Sequence, residues 1–386
     1  MQPSTKHAFL LAFLLNLFFI NVHAEGINNL DSLARHRLLC PSHSTDEQWK
    51  ATNTLEATIR QDYWRGPLLS DVDGDDNFWQ VQDPALTNLN MEAVHEYGEL
   101  CQRTHADAYL IVYKAKIVAE GYAKSYMVPM ATMSSVKSIT ALLIGMLIED
   151  GKIASIDDPV GKYLPKWNNG DRAKVTIRHL LTMTAGLKRR SDAQGVDASV
   201  GYVSDKDAYV IALPLTYEPG KQWEYSNEGA QLLSPILDKA AGMPIQEYAR
   251  IRLFEPVGMK HTGLRVDEKN HAWTYADANT TLRDFSRIGM LMMNAGQWAG
   301  NQIVSASWVH DCVQPCPQNH EYGYLWWLTN SPKGFCTRGY RNTEVYCFPE
   351  RNLVIARMQN TPSDESPTYL NDALALFAKM VVPTKH

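Results

Sequence analysis

The sequence predicts an α/β fold: an antiparallel sheet built from both ends of the chain, flanked by helices, with a mainly helical lobe from the middle. Three observations predict it. Two β-rich segments, Ala108–Tyr113 and residues 117–122, are adjacent in the first third of the chain. Four more β-rich segments, residues 323–328, 335–338, Thr343–Phe348 and Leu353–Met358, cluster toward the other end. The stretch between the two groups is helical and loop-rich, which places it as a lobe inserted into the sheet.

Taken in order, residues 1–24 read as a leader rather than as part of the fold. Lys6 and His7 precede the apolar run 8–20, broken only by Asn16, and Val22-His23-Ala24 offers a small-x-small cleavage site before Glu25. The run is short for a membrane span. The expectation is therefore an exported protein, periplasmic or secreted, with no stable span after cleavage. Residues 25–104 are weakly periodic and read as an N-terminal extension leading into a domain at 105–382. Within that domain the sheet lobe is expected at about 105–150 and 310–382, and the helical lobe at about 151–309.

Thirty-seven basic and 42 acidic residues leave a net charge of −5, and no basic runs occur. Nothing in that balance suggests a nucleic-acid partner. The acidic stretch Asp71-Val-Asp73-Gly-Asp75-Asp76 resembles a calcium loop faintly. Its glycine is at the fourth position rather than the sixth, and Gln82 stands where a glutamate is needed, so it reads as a solvated turn. Six cysteines in an exported chain permit disulfides. The expected pair is Cys336–Cys347, flanking a hairpin, with Cys312–Cys316 and Cys40–Cys101 as the remainder. No histidine stands at ligand spacing near them, which argues against zinc.

The two segments at 108–122 read as a hairpin turning at Lys114-Ala115-Lys116. After a loop containing Pro129 comes Met133-Ser134-Ser135-Val136-Lys137-Ser138. Ile139, Leu142, Leu143, Met146 and Leu147 then form one helical stripe, while Ile144 and Ile148 add a second apolar face, so this helix is expected to be buried. Gly151 suits its left-handed stop. Further helices are expected near Asp157-Asp158-Pro159, over residues 176–184, 231–241 and 281–295, and as a closing element at 365–382.

Ser134 and Lys137 share a helix face at the N-terminal, positive end of the buried helix. A hydroxyl beside an amine in that position is a candidate nucleophile, although a helix-capping serine with a solvent-facing lysine fits the same pattern. Tyr225-Ser226-Asn227 follows the turn Glu218-Pro219-Gly220 and precedes a helix. Tyr225 there could present its phenol to Ser134, and Asn227 an amide to a substrate carbonyl; both could equally be packing and capping residues. A phenol and an amine are each poor bases alone, but an ammonium beside a phenol favours the phenolate. A third element is expected on a strand edge. Gly339 would let backbone approach a substrate, and Arg338 could grip a carboxylate or sit in a surface ion pair.

In combination these motifs resemble the class C β-lactamase-like serine hydrolases. The resemblance rests on the hairpin, Ser134-Ser-Val-Lys137, Thr176-Ile-Arg-His-Leu-Leu-Thr-Met-Thr-Ala-Gly-Leu187, Glu218-Pro-Gly220, Tyr225-Ser-Asn227, the helix at Asp284 and Tyr322-Gly-Tyr-Leu-Trp-Trp327, all in the family's order over about 105–382. It implies a β-lactamase/penicillin-binding-protein-like fold. It further implies Ser134 as acylated nucleophile, Lys137 and Tyr225 as the proton-transfer pair, and Asn227 beside the substrate. The oxyanion hole would use the backbone N–H groups of Ser134 and Tyr340. The third motif departs from the family, reading Thr337-Arg338-Gly339 where β-lactamases and D,D-peptidases carry Lys-Thr-Gly or His-x-Gly. That resembles the esterase and 6-aminohexanoate-dimer hydrolase branch. The expected activity is hydrolysis of a small ester or amide without metal or organic cofactor. Alternatives are a β-lactamase or D,D-peptidase, and a binding protein that retains the fold without turnover.

Overall fold

The computed structural model describes residues 79–83, 87–123, 126–187, 200–201, 203–361 and 368–381. The expected leader, the acidic turn at 71–76 and Cys40 lie outside the described residues.

A short strand, β1 (Gln80–Val81), precedes helix α1 (Met91–Arg103), an element the sequence reading did not anticipate. Asn90 caps α1 by accepting hydrogen bonds from the backbone N–H groups of Glu92 and Ala93. Its stripe of Ala93, Val94, Tyr97, Leu100 and Cys101 is buried. The expected hairpin follows as β2 (Ala108–Tyr113) and β3 (Lys116–Tyr122). Lys114 and Ala115 turn it with φ of 50° and 63°, a left-handed pair whose twist matches that of the strands. Ile111 pairs with Ala119 but Val112 with Ile117, so Val118 is the extra residue of a β-bulge.

One 3₁₀ turn, Met133–Ser135, leads into α2 (Val136–Glu149), which is buried from Val136 to Leu147. The helical lobe then supplies α3 (Ile177–Leu181), capped by Thr176. The helix expected at 231–241 is two helices meeting at Leu232, α4 (Asn227–Gln231) and α5 (Leu233–Ala241). The longest of this lobe is α6 (Leu282–Met293), capped by the hydroxyl of Thr281. The strand expected at 323–328 begins four residues late, as β4 (Trp327–Asn330). Leu325 is the reason: it is left-handed (φ 58°) and donates its N–H to the carbonyl of Leu181 on α3, tying the sheet to the helical lobe instead of extending β4. β5 (Lys333–Gly339), β6 (Thr343–Phe348), β7 (Leu353–Met358) and α7 (Tyr369–Met380) complete the chain.

Among the described residues the main sheet runs β1-β3-β2-β7-β6-β5-β4. It is antiparallel except at its edge, where β1 pairs parallel to β3. The two chain ends meet at its centre: Leu353 lies opposite Tyr113, and the register continues to Met358 opposite Ala108. One face presents Leu110, Val112, Val345, Val354 and Ala356 to α2 and α6. Close approach is essential there, since a Cβ on Gly289 of α6 would lie 2.6 Å from Cγ1 of Val345. The other face presents Tyr109, Ile111, Tyr346 and Phe348 to Tyr97 of α1 and Phe377 of α7. Each such side chain removed from water contributes about 1.5–3 kcal/mol. A buried ion pair, Arg283 Nη2 to Glu120 Oε1 at 2.6 Å, joins α6 to β3.

The expected disulfides do not form. Cys336 lies opposite Tyr346 in the β5–β6 ladder, one residue out of register with Cys347. Successive residues of a strand point to opposite faces, so the two thiols belong to different cores: Cys336 to the α1/α7 side and Cys347 to the α2/α6 side. Cys312 and Cys316 are free buried thiols, the latter donating to the Asn319 carbonyl at 3.2 Å. Cys101 is likewise free and buried on α1. Among the described residues no helix is long and apolar enough to cross a membrane.

Candidate active site

The turn before α2 is a strained one. Met133 adopts φ 51°, a left-handed conformation that a side chain with a Cβ rarely takes. Its neighbours hold it: the Met133 carbonyl accepts from the N–H of Asp277 at 3.0 Å. Ser135 Oγ donates to the Thr343 carbonyl at 2.6 Å, anchoring the turn to β6. Ser134, half-buried, stands at the middle of this turn.

Lys137, one turn on, is almost fully buried at 2% exposure, yet its ammonium is well served. Nζ donates to Ser134 Oγ at 3.1 Å, to Asn227 Oδ1 at 2.7 Å and to the Tyr275 carbonyl. A buried cation is tolerated only with such partners. The ring of Tyr225 has its centroid 4.9 Å from Nζ, and that of Tyr275 5.8 Å. Tyr225 reaches this position from the loop before α4, whose first residue is Asn227 and whose cap is Ser226. It stacks on Trp327 of β4 at 6.2 Å between centroids, and Trp327 meets Tyr322 at 4.9 Å and Trp223 at 6.2 Å. An aromatic wall thus flanks the Ser134/Lys137 pair.

The end of β5 closes the third side. A Cβ on Gly339 would lie 2.6 Å from the Thr132 carbonyl oxygen and 3.0 Å from Met133 Cβ, so this strand abuts the Met133–Ser135 turn. Tyr340, more than half exposed, begins the following turn, Tyr340–Asn342. Thr337 points inward, fully buried, with its hydroxyl accepting from the Val345 N–H at 2.9 Å.

The structure therefore brings Ser134, Lys137, Tyr225, Asn227 and Gly339 together, with Tyr340 adjoining. Arg338 is not brought to Ser134. It leaves β5 beside Cys336, with Nε 3.9 Å from Glu344 Oε2 and the guanidinium 5.3 Å from the Trp327 ring. The sequence reading missed Tyr275, whose contribution is a backbone carbonyl and carries no side-chain signal. It also gave no role to Trp327, which the paired tryptophans at 326–327 could have flagged. Elsewhere, Asp205, Asp267 and His271 cluster with ligand atoms within 4.8 Å of one another. Asp267 there accepts the N–H groups of Lys206, Lys269 and His271, which explains it as a loop anchor.

A buried lysine bonded to a serine on the first turn of a buried helix, with a tyrosine alongside and a strand edge opposite, defines the class of SxxK hydrolase folds. The comparisons agree. Residues 107–379 match the family described as Beta-lactamase. The 6-aminohexanoate-dimer hydrolase of Paenarthrobacter ureafaciens is 21% identical over 296 residues, 69% of this chain and 75% of that protein. Esterase EstB of Burkholderia gladioli is 29% identical over 161 residues, 37% of this chain and 41% of that protein. A penicillin-binding protein from Bacillus halodurans superposes with a TM-score of 0.58 at 19% identity, covering 72% of this chain and 98% of that one. The chain belongs to the β-lactamase family, among its class C-like serine hydrolases, and shares their α/β fold.

Proposed function

We propose that the chain hydrolyses an ester or amide bond through an acyl-Ser134 intermediate. The observation that carries this is the 3.1 Å contact between Lys137 Nζ and Ser134 Oγ inside a site that also fixes Nζ on Asn227 and Tyr275. Ser134 Oγ attacks the substrate carbonyl while its proton passes to the Tyr225/Lys137 pair. The backbone N–H groups of Ser134 and Tyr340 stabilise the oxyanion. The same pair returns the proton to the leaving alcohol or amine, and then takes one from the water that releases the acyl group. No step calls for a metal or organic cofactor.

Thr337 favours an ester or open-chain amide over a β-lactam. Where penicillin-recognising relatives place a cation, this chain has a neutral hydroxyl already engaged by the Val345 N–H. The relatives named as an aminohexanoate-dimer hydrolase and an esterase support the same choice. Wild type and Ser134→Ala should be compared on short p-nitrophenyl esters, an aminohexanoate dimer and a chromogenic cephalosporin. Ester or dimer turnover lost in Ser134→Ala is the expected result; equal rates for both proteins on every substrate would sink the mechanism. The apolar run at 8–20 and Ala24 carry the accompanying proposal of export. Recovery of the protein from its host with Met1 in place, rather than starting at Glu25, would overturn it.

A further inference from the structure

The segment from Thr274 to Ala278 passes behind the nucleophile and holds it at four points. The Thr274 carbonyl accepts from Thr140 Oγ1 at 3.1 Å, and the Tyr275 carbonyl accepts from Lys137 Nζ. The Asp277 N–H donates to the Met133 carbonyl at 3.0 Å. Ala278 accepts the Thr132 N–H at 2.8 Å and donates to Thr132 Oγ1 at 2.8 Å. Asp277 is itself left-handed, with φ 58°, so two strained residues, Met133 and Asp277, are bonded to each other beside Ser134.

The side chain of Asp277 has a second peculiarity. It is 5% exposed, its Oδ2 accepts from Arg265 Nη1 at 3.1 Å, and its Oδ1 is buried without a hydrogen-bond partner among the described residues. Arg265 lies against the Trp273 ring, 3.5 Å from its centroid. Burial pushes the Asp277 carboxyl up, while Arg265, the Met133 backbone and the Lys137 charge pull it down. A carboxylate with an unsatisfied oxygen is costly to bury, and a packing role alone would be served by an apolar side chain.

We propose that Asp277, oriented by Arg265, is a positioning residue for the Ser134/Lys137 pair. Its N–H holds the Met133 turn that aims Ser134, and its carboxylate, paired to Arg265, lies within electrostatic reach of Lys137. This rests on the reading of Ser134 as nucleophile. Among the described residues, the groups facing Lys137 are Ser134 on the turn before α2, Tyr225 and Asn227 from the loop and first residue of α4, Tyr275 and Asp277 from the Thr274–Ala278 segment, and Arg265 paired to Asp277. Asp277 supplies the negative charge in that set.

The test compares wild type, Asp277→Glu, Asp277→Asn and the double variant Arg265→Gln/Asp277→Asn on a short p-nitrophenyl ester. The double variant leaves no unpaired charge, so it stays informative where Asp277→Asn alone fails to fold. Removing the carboxylate is expected to lower kcat by about 10- to 100-fold with little change in KM, and to move the limb of the kcat/KM–pH profile to lower pH, because a cationic centre sheds its proton more easily without a nearby anion. Asp277→Glu keeps the wild-type limb. A folded double variant with wild-type kcat and pH profile overturns the inference, as does a double variant and Asp277→Glu with identical limbs. Ser134→Ala on the same ester separates the two readings: lost turnover there beside an unaffected double variant removes only this inference, whereas retained turnover removes both.

Discussion

Gly339 and Thr132 are pressed so close that β5 and the Met133–Ser135 turn act as one unit: a Cβ at 339 would stand 2.6 Å from the Thr132 carbonyl oxygen. Backbone on both sides cannot yield without moving Ser134. Gly339→Ala should cost about 1–3 kcal/mol of stability by overpacking. Ester turnover should fall by more than that loss alone explains, at least about 10-fold in kcat/KM, because the N–H groups proposed as oxyanion donors are displaced. Thermal melting and kinetics on one preparation check both figures.

Lys137 is held by three acceptors in a compact pocket, one of them a backbone carbonyl. Lys137→Met leaves Asn227 Oδ1 and the Tyr275 carbonyl without their donor, and Lys137→Arg brings a planar fork too large for the space. Both should lower kcat by about 10²- to 10⁴-fold, measured by single-turnover ester cleavage. Arginine restoring more than a tenth of the rate would show that charge, not geometry, is what the site uses.

Arg283 and Glu120 are a buried pair with side chains only 3% and 1% exposed. Arg283→Met strands the Glu120 charge and should destabilise the fold by about 3–5 kcal/mol in urea unfolding. Replacing both residues by apolar ones of similar volume should recover most of that loss.

His271 is pushed up to about 9, chiefly by the Asp267 carboxylate 3.3 Å from its Nδ1, despite burial. A raised histidine binds its proton more tightly in the folded state, so its contribution to stability is complete below about 6.5, its unfolded value, and is lost as pH rises through about 9. The stability advantage of wild type over His271→Gln should therefore shrink between those limits. Unfolding of both proteins at pH 6 and pH 9.5 checks it, and a constant difference would count against the ion pair.

The cysteines should behave as thiols. Burial pushes Cys101 up to about 11 and raises Cys312, Cys316, Cys336 and Cys347 as well. A thiol-reducing agent should leave the melting temperature unchanged, and alkylation should label these five only after unfolding. A protected Cys336–Cys347 pair in the unreduced, unfolded protein would contradict the strand register.

What the sequence made legible was periodicity. The central strands and α2 are continuous apolar or β-branched runs, and the ends of α2, α5 and α6 are punctuated by Gly151, Gly242 and Gly296, each left-handed in the structure. The contact between Ser134 and Lys137 followed because the two are one turn apart, a relationship sequence spacing does carry. Three things it could not carry. Helix α1 has mostly polar residues around a narrow stripe at Ala93, Val94, Tyr97, Leu100 and Cys101, so its pattern was lost among charged neighbours. Cysteine spacing across a hairpin does not reveal register, and one residue of offset separates Cys336 from Cys347 by the thickness of the sheet. The Tyr275 carbonyl and the left-handed Leu325 are backbone features, set by tertiary bonds rather than by residue type.

The pairing of β2 with β7 joins residues 108–113 to residues 353–358 at the middle of the sheet. As the chain emerges in order during synthesis, the hairpin therefore waits, with Ile111 and Leu110 uncovered on its two faces, until the whole helical lobe has followed it. Pairings of such long sequence separation are slow to form and leave strand edges open to other chains. The candidate site is completed late for the same reason: Gly339 can reach Thr132 only once β6 and β7 have carried β5 into register. Activity regained during refolding should thus lag behind the return of helical signal.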